Sequence, residues 1–334
     1  MSKKILILKN DRTGDLFVSL KAINRILTKH KKDKIIIFLS QVNHKFSFLF
    51  PNIKKKIISM DLGLREKFYI LKYLLVNRID SVYILTPKNF YYYLPFIFRK
   101  IKFYGITIKS LKNRPNNFLR KYLYKYVTID RLTIKKRNST YNIQESLIEY
   151  SDNTNMINVN SNVKNDFHLP KDYIFFHYKH KLFNDLLGWS LDDIDYLLDF
   201  LIKKNKNIMF SSELNNTYLN NYFLKQYNSF DFYNKTQKNI NEKRIFFLKD
   251  VEGYDLFDIV RKSNNIIAPE GIFTHMAYFL KKPFLALMHF KLNNRRDFIN
   301  QIISCKEWFP LSGYKFTVLK RNFAISINKL SKRI

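Results

Sequence analysis

Two short segments carry residue types that can do chemistry. The first is Asn10-Asp11-Arg12-Thr13-Gly14-Asp15, between an apolar run and an amphipathic one. A hydroxyl attacks carbon well only when a base takes its proton, and a carboxylate such as Asp15 can be that base. A carboxylate at a helix start also has a structural use, capping free N–H groups and complementing the helix dipole. Both readings stand for Asp15. The second segment is Ala268-Pro269-Glu270-Gly271-Ile272-Phe273-Thr274-His275-Met276-Ala277. Gly271 lets backbone approach a ligand closely. A helix opening beyond it offers free N–H groups and a positive dipole end, which suit a diphosphate. Thr274 and His275 add side-chain donors, and Glu270 can accept from a sugar hydroxyl. The alternative is a capped helix holding a buried, satisfied histidine.

Other chemistries are less well supplied. Gly14 alone does not make the three-glycine dinucleotide fingerprint, and no Gly-Lys-Ser/Thr follows to make a phosphate-binding P-loop. The single cysteine, Cys305, excludes an internal disulfide and a multi-cysteine metal site. His177 and His180 have no third ligand nearby in sequence, so no metal site is expected.

The elements that must position these segments alternate. Strands are predicted at Lys4–Lys9, Lys34–Ser40, Ile53–Ser59, Ser81–Thr86 and Ile101–Ile108. Helices are predicted near Leu16–His30, Val42–Phe50, Arg65–Asn77 and Phe90–Lys100, with helical pattern again through Asn116–Val127 and Tyr141–Tyr150. The polar, asparagine-rich stretch Ser151–Leu169, ending at Pro170, reads as a connection. The alternation then restarts. Strands are expected at Asp172–Tyr178, Asn207–Ser212, Ile245–Leu248, Asn265–Ala268 and, last, Pro283–Met288. Helices are expected from the Ser190 cap to about Lys204, near Leu214–Gln226, and at Tyr254–Ser263 and Ile272–Leu280. Ser190 with Asp193 three residues on is a carboxylate capping box. Apolar strands alternating with helices imply parallel sheets covered on both faces. The fold class is therefore α/β, with two Rossmann-like domains facing across a cleft. Residues 1–160 form the first domain and residues 170–334 the second. Ligands bind such sheets at the carboxyl ends of their strands.

Taken together, the two segments resemble glycosyltransferase family nine, the bacterial lipopolysaccharide heptosyltransferases. The family opens with a strand and a Gly-Asp pair leading into a helix, here Lys3–Lys9 followed by Gly14-Asp15. Its second half carries a leucine-rich helix, a short strand, an acidic residue with small neighbours, and a His-x-Ala. Here these are Tyr254–Val260, Ile266–Gly271 and His275-Met276-Ala277, with Lys282-Pro283 at the family's Lys-Pro. The resemblance runs from Lys3 to Met288 with unmatched stretches in the middle. It implies a GT-B fold, with the first domain taking the acceptor and the second the nucleotide sugar. It implies Asp15 as catalytic base, with Arg12 and Thr13 beside it on the acceptor. Glu270, Gly271, Thr274 and His275 become donor contacts. Lys181, or failing it Lys179, would hold the donor phosphates, and Glu213 would meet the nucleotide ribose. The implied reaction is metal-independent, inverting hexosyl or heptosyl transfer from an ADP-heptose-like donor to a lipopolysaccharide-core-type acceptor, without a cofactor. Two departures stand out. Ile272 occupies a position where the family usually has glycine, and Trp189 lacks the following proline.

The charge is +32, from 59 Lys and Arg against 27 Asp and Glu. Abundant Lys, Asn and Ile with only seven glycines fits an A/T-rich genome. Whatever its origin, such a surface attracts polyanions. An anionic glycolipid acceptor suits it, as does peripheral contact with the cytoplasmic face of the inner membrane. The aromatic-basic stretch Phe90–Tyr104 is a candidate acceptor or membrane patch, or else a buried helix followed by a strand. The longest apolar run, Phe90–Phe98, is too short to span a bilayer. The start of the chain lacks a signal peptide's apolar core, so a cytoplasmic location is expected. Two other readings use the same sequence. One is a degenerate GT-B scaffold acting as an interaction module, which Ile272 favours. The other is a nucleic-acid-binding protein, for which charge and aromatics suffice but no motif appears.

Overall fold

The computed structural model describes residues 2–108, 118–130, 139–149, 154–159, 169–170, 172–204, 207–213, 217–229, 244–249, 251–289 and 315–333. They fall into two compact units that change over near Ser161.

In the first unit, six parallel strands lie in the order β3-β2-β1-β4-β5-β6. They are β1 (Lys4–Lys9), β2 (Lys34–Leu39), β3 (Lys54–Ile57), β4 (Ser81–Ile84), β5 (Lys102–Ile108) and β6 (Lys125–Ile129). The helices are α1 (Thr13–Lys29), α2 (Gln41–His44), α3 (Leu64–Val76), α4 (Asn89–Ile97) and α5 (Thr140–Glu145). Consecutive β1 residues Ile5, Leu6, Ile7 and Leu8 are all fully buried. Neighbouring strand residues point to opposite faces, so both faces of the sheet are covered. Helix α1 buries Leu16, Leu20, Ile23 and Leu27, which recur at helical spacing. Its other side takes α5 through Ser19 Oγ donating to Gln144 Oε1 (2.6 Å) and an Arg25–Glu145 ion pair (3.0 Å).

In the second unit, seven parallel strands lie in the order β13-β12-β11-β7-β8-β10-β9. They are β7 (Ile174–His177), β8 (Asn207–Ser211), β9 (Asn228–Ser229), β10 (Arg244–Leu248), β11 (Asn265–Pro269), β12 (Phe284–Met288) and β13 (Lys315–Val318). The helices are α6 (Leu191–Lys204), α7 (Thr217–Gln226), α8 (Gly253–Lys262), α9 (Ile272–Phe279) and α10 (Phe323–Ser331). A one-turn π-helix, Lys181–Leu186, follows β7. The Ser190 capping box is present: Asp193 N–H donates to Ser190 Oγ (3.1 Å) and Ser190 N–H to Asp193 Oδ2 (2.8 Å).

Leaving aside the two-residue β9, the second sheet repeats the order of the first. Each is a Rossmann-like sheet in which the strand order reverses at the central pair, β1 with β4 and β7 with β11.

Three sequence expectations change. The helical pattern over Asn116–Val127 is, where described, a 3-10 turn at Arg120–Tyr122 and the edge strand β6. Val127, Thr128 and Ile129 are β-branched and pair in parallel with β5, which outweighs the local amphipathic spacing. Val42–Phe50 splits into α2 and a 3-10 turn at Ser47–Leu49. Pro283–Met288 is not the last strand: β13 and α10 follow. Most of Ser151–Leu169 lies outside the described residues.

Candidate functional site

The β1–α1 turn leaves the first sheet at its reversal point, where ligands bind in this architecture. A charged network is buried beneath it. Lys9, 1% exposed, reaches Asp11 Oδ2 at 2.7 Å and the Leu85 carbonyl at 3.3 Å. Asp11 also accepts from Thr86 Oγ1 (3.0 Å) and Asn43 Nδ2 (3.3 Å), and its carbonyl accepts from Ser40 Oγ (2.7 Å). Asn10 is fixed by Tyr91 OH donating at 2.6 Å and by its own donation to the Ser59 carbonyl (2.8 Å). The residues lie at or just beyond the carboxyl ends of β1 to β4, which parallel pairing brings side by side, with Asn43 on α2 and Tyr91 on α4.

Asp15 stands in the first turn of α1 and is half-buried. Burial pushes its carboxyl above the ordinary range. The Lys9 ammonium is the strongest opposing influence; Asp11 adds to the rise, while Arg12 and its backbone N–H oppose it. That backbone bond is the capping role; the raised, Lys9-shadowed carboxyl is what a proton acceptor near neutrality needs. The capping reading of Asp15 is met by that bond, and the raised pKa is compatible with the other. Arg12 is the exposed N-cap residue, and Thr13 opens the helix half-buried.

The β11–α9 turn holds the equivalent position in the second sheet. Gly271 has φ 153° and ψ −147°, a backbone that side-chain-bearing residues rarely adopt, and an added Cβ there would meet nothing within 4 Å. Ile272 is helical, so the unusual dihedral falls on the glycine and spares the β-branched neighbour. Glu270 is exposed. Thr274, expected as a ligand donor, is fully buried and its hydroxyl is spent inside the turn. It donates to the Gly271 carbonyl (2.9 Å) and accepts the Gly271 N–H (3.1 Å). Thr274 thus shapes the turn. His275 is buried as well, which lowers its pKa to about 4 and keeps the ring neutral.

Strand β7 ends beside this turn. The His177 ring packs on Phe273 with centroids 4.4 Å apart, and Nδ1 bonds Ser211 Oγ at 2.9 Å. Burial, then the nearby Lys179 charge, lowers its pKa to about 3. Lys181 is the exposed first residue of the π-helix, and Lys179 is half-buried. Glu213 follows β8 and is close enough to Tyr178 to raise that phenol's pKa, after burial itself. The second sheet therefore gathers Glu270, Gly271, His275, Lys179, Lys181 and Glu213 at adjacent strand ends. Two motif residues are structural. Asp258 is buried and paired with Arg261 and Lys262, and Lys282 Nζ donates to the Ser263 carbonyl (2.9 Å).

The sequence reading passed over Lys9, Asn43 and Thr86. A lysine at the end of a strand reads as its polar terminus. The available signal was an acid two residues beyond it, on the same turn as a second acid.

The chain has the fold of the bacterial heptosyltransferases. Similar solved structures include the Escherichia coli heptosyltransferase WaaC with ADP-2-deoxy-2-fluoro heptose, at 10% identity and a TM-score of 0.65 over 99% of this chain and 98% of that one. A glycosyl transferase family 9 structure from Veillonella parvula reaches 0.63 at 14% identity, over 99% and 90%. A UDP-GlcNAc 2-epimerase from Methanocaldococcus jannaschii reaches 0.55 at 17% identity, over 98% and 92%. At such identities the heptosyltransferase-like character is one of fold. No family model matches the sequence, and no curated protein does. Among the described residues, no helix is long and apolar enough to cross a membrane.

Proposed function

We propose that the chain is an inverting glycosyltransferase. It moves a heptose-like sugar from a nucleoside-diphosphate donor, by similarity an ADP-sugar, to a hydroxyl of an anionic acceptor of the lipopolysaccharide-core type. Asp15 takes the acceptor's proton as the oxygen attacks the anomeric carbon. The bond from that carbon to the diphosphate breaks, its electron pair leaves with the nucleoside diphosphate, and one displacement inverts the centre. Lys181 and the N–H groups that open α9 meet the charge on the departing diphosphate. Glu213 and Glu270 accept hydroxyls of ribose and sugar, and Arg12 and Thr13 hold the acceptor. The anionic acceptor is carried on a lipid, which places the working enzyme at a membrane surface.

The observation that carries this reading is Asp15, a part-buried carboxylate with a raised pKa beside a buried lysine, at the reversal point of its sheet. WaaC, solved with an ADP-heptose analogue, has the same fold across nearly the whole chain. A thermal-shift series with ADP-, UDP- and GDP-sugars tests it. A true donor at 100 times its dissociation constant stabilises by about 2.7 kcal/mol. An ADP-sugar should give the largest shift, followed by transfer to a lipopolysaccharide-core acceptor with release of ADP. Silence from every nucleotide sugar would favour an interaction module. Epimerisation of UDP-GlcNAc without transfer would favour the chemistry named for the archaeal structure.

A further inference from the structure

We propose that the end of α4, with the 3-10 turn before β6, forms a docking face for an anionic lipid bilayer. The assignment deepens the lipid-borne-acceptor reading and rests on it for its purpose. Its evidence lies elsewhere in the first unit.

Helix α4 has two apolar sides. Tyr91, Tyr92, Leu94 and Pro95 are buried, whereas Tyr93, Phe96 and Ile97 are 45%, 48% and 55% exposed. Residues three and four apart share a helix face, so these three form one outward patch. Tyr122 extends it, its ring meeting Phe96 edge-on with centroids 5.4 Å apart. Cations sit on the same rings: Arg99 is 5.6 Å from the Phe96 centroid and Lys121 is 5.2 Å from that of Tyr122. The chain around the patch carries no opposing charge. Between Asp80 and Asp130 there are ten Lys and Arg and no Asp or Glu. Glu149 reaches this edge and is taken by Lys125 at 2.5 Å.

An anionic bilayer complements every part of this face. Tyrosines and other aromatics settle at the headgroup level, Ile97 and Phe96 enter the acyl boundary, and the cations meet lipid phosphates. A nucleic acid would use the cations but leave Ile97 in water. Within Phe90–Tyr104, a helix followed by a strand, Tyr91 and Tyr92 belong to the core while Tyr93, Phe96 and Ile97 are exposed, and Tyr122 joins them from the 3-10 turn.

Flotation with phosphatidylglycerol-containing vesicles, compared with purely zwitterionic ones, tests the proposal on the full chain. Binding is expected to the anionic vesicles alone. Arg99→Gln with Lys121→Gln should weaken it about twenty-five-fold, since each basic residue near such a surface contributes roughly fivefold. Phe96→Ser with Ile97→Ser should weaken it while leaving its salt dependence in place. Two control pairs should bind like the parent. Lys329→Gln with Lys332→Gln makes the same charge change at the end of α10. Phe68→Ser with Leu75→Ser removes two of the exposed apolar residues of α3. Equal losses from the controls, or no loss from the Phe96/Ile97 pair, would reduce the effect to net charge and overturn the proposal. Binding to generic RNA with no affinity for the vesicles would do the same. The nucleotide-sugar thermal shift of each variant should match the parent, so a failed docking face is distinguishable from a failed assignment of function.

Discussion

The β1–α1 turn and the β11–α9 turn stand at the same place in two sheets of the same strand order, and they are built from opposite materials. The first is made of side chains: Lys9, Asp11, Asn43, Thr86 and Asp15 form a charged network that burial strengthens. The second is made of backbone: Gly271 takes a dihedral that other residues avoid, Thr274 is consumed in holding it, and the histidines are neutral. A site that moves protons needs side chains with adjusted pKa. A site that cradles an anion needs free N–H groups and little else. The contrast fits the division of labour we propose, with proton transfer at the first turn and phosphate binding at the second.

The comparison breaks most directly at Asp15. Asp15→Asn should lower turnover roughly 100- to 10,000-fold while nucleotide-sugar binding persists. Burial raises the folded pKa of Asp15, so its charged form destabilises the fold once the pH exceeds the unfolded value of 3.8. The same variant should therefore melt higher than the parent at neutral pH, and a lower melting temperature would make Asp15 mainly a cap. Next comes Lys9→Met, which strips the ammonium from Asp11 and should cost about 3 kcal/mol in urea unfolding. Adding Asp11→Asn should restore most of that loss; purely additive losses would show that the pair is not coupled.

The second turn is tested by pH. His275 titrates near about 4 when folded against 6.5 when unfolded. Between those values the unfolded chain holds the extra proton. The stability is fully present above 6.5 and is lost as the pH falls towards 4, by around 2–3 kcal/mol across the window. His177 acts in the same direction. His275→Gln should flatten part of the curve of unfolding free energy against pH, and an unchanged curve would place His275 in water. Gly271→Ala meets open space yet forces an unfavourable dihedral, at a cost of about 1–3 kcal/mol. It should weaken nucleotide binding as well as lower the melting temperature. Thr274→Val gives up two hydrogen bonds within the turn and should cost about 1 kcal/mol, while Thr274→Ser stays near the parent.

The central strands were legible in the sequence because both their faces are buried and they read as unbroken apolar runs, as in Ile5–Leu8. The edge strand β6 was not, because its spacing also fits a helix until a partner strand is known. At the site, Asp15 and Gly271 were legible from residue type and position on a turn. The inward direction of Thr274 and the burial of Lys9 were not, since a hydroxyl and an ammonium look the same in sequence whether they face a ligand or the chain itself.

Strand β3 carries a consequence for how the protein survives in solution. It lies at the open margin of its sheet and consists of Lys54, Lys55, Lys56 and Ile57. Among the described residues no strand pairs with its outer margin, and such a margin invites a neighbouring copy to extend the sheet, a hazard for a chain rich in isoleucine, tyrosine and asparagine. Three successive ammonium groups make that margin repel its own image, so the molecule's surplus of cations also guards it against self-templated assembly.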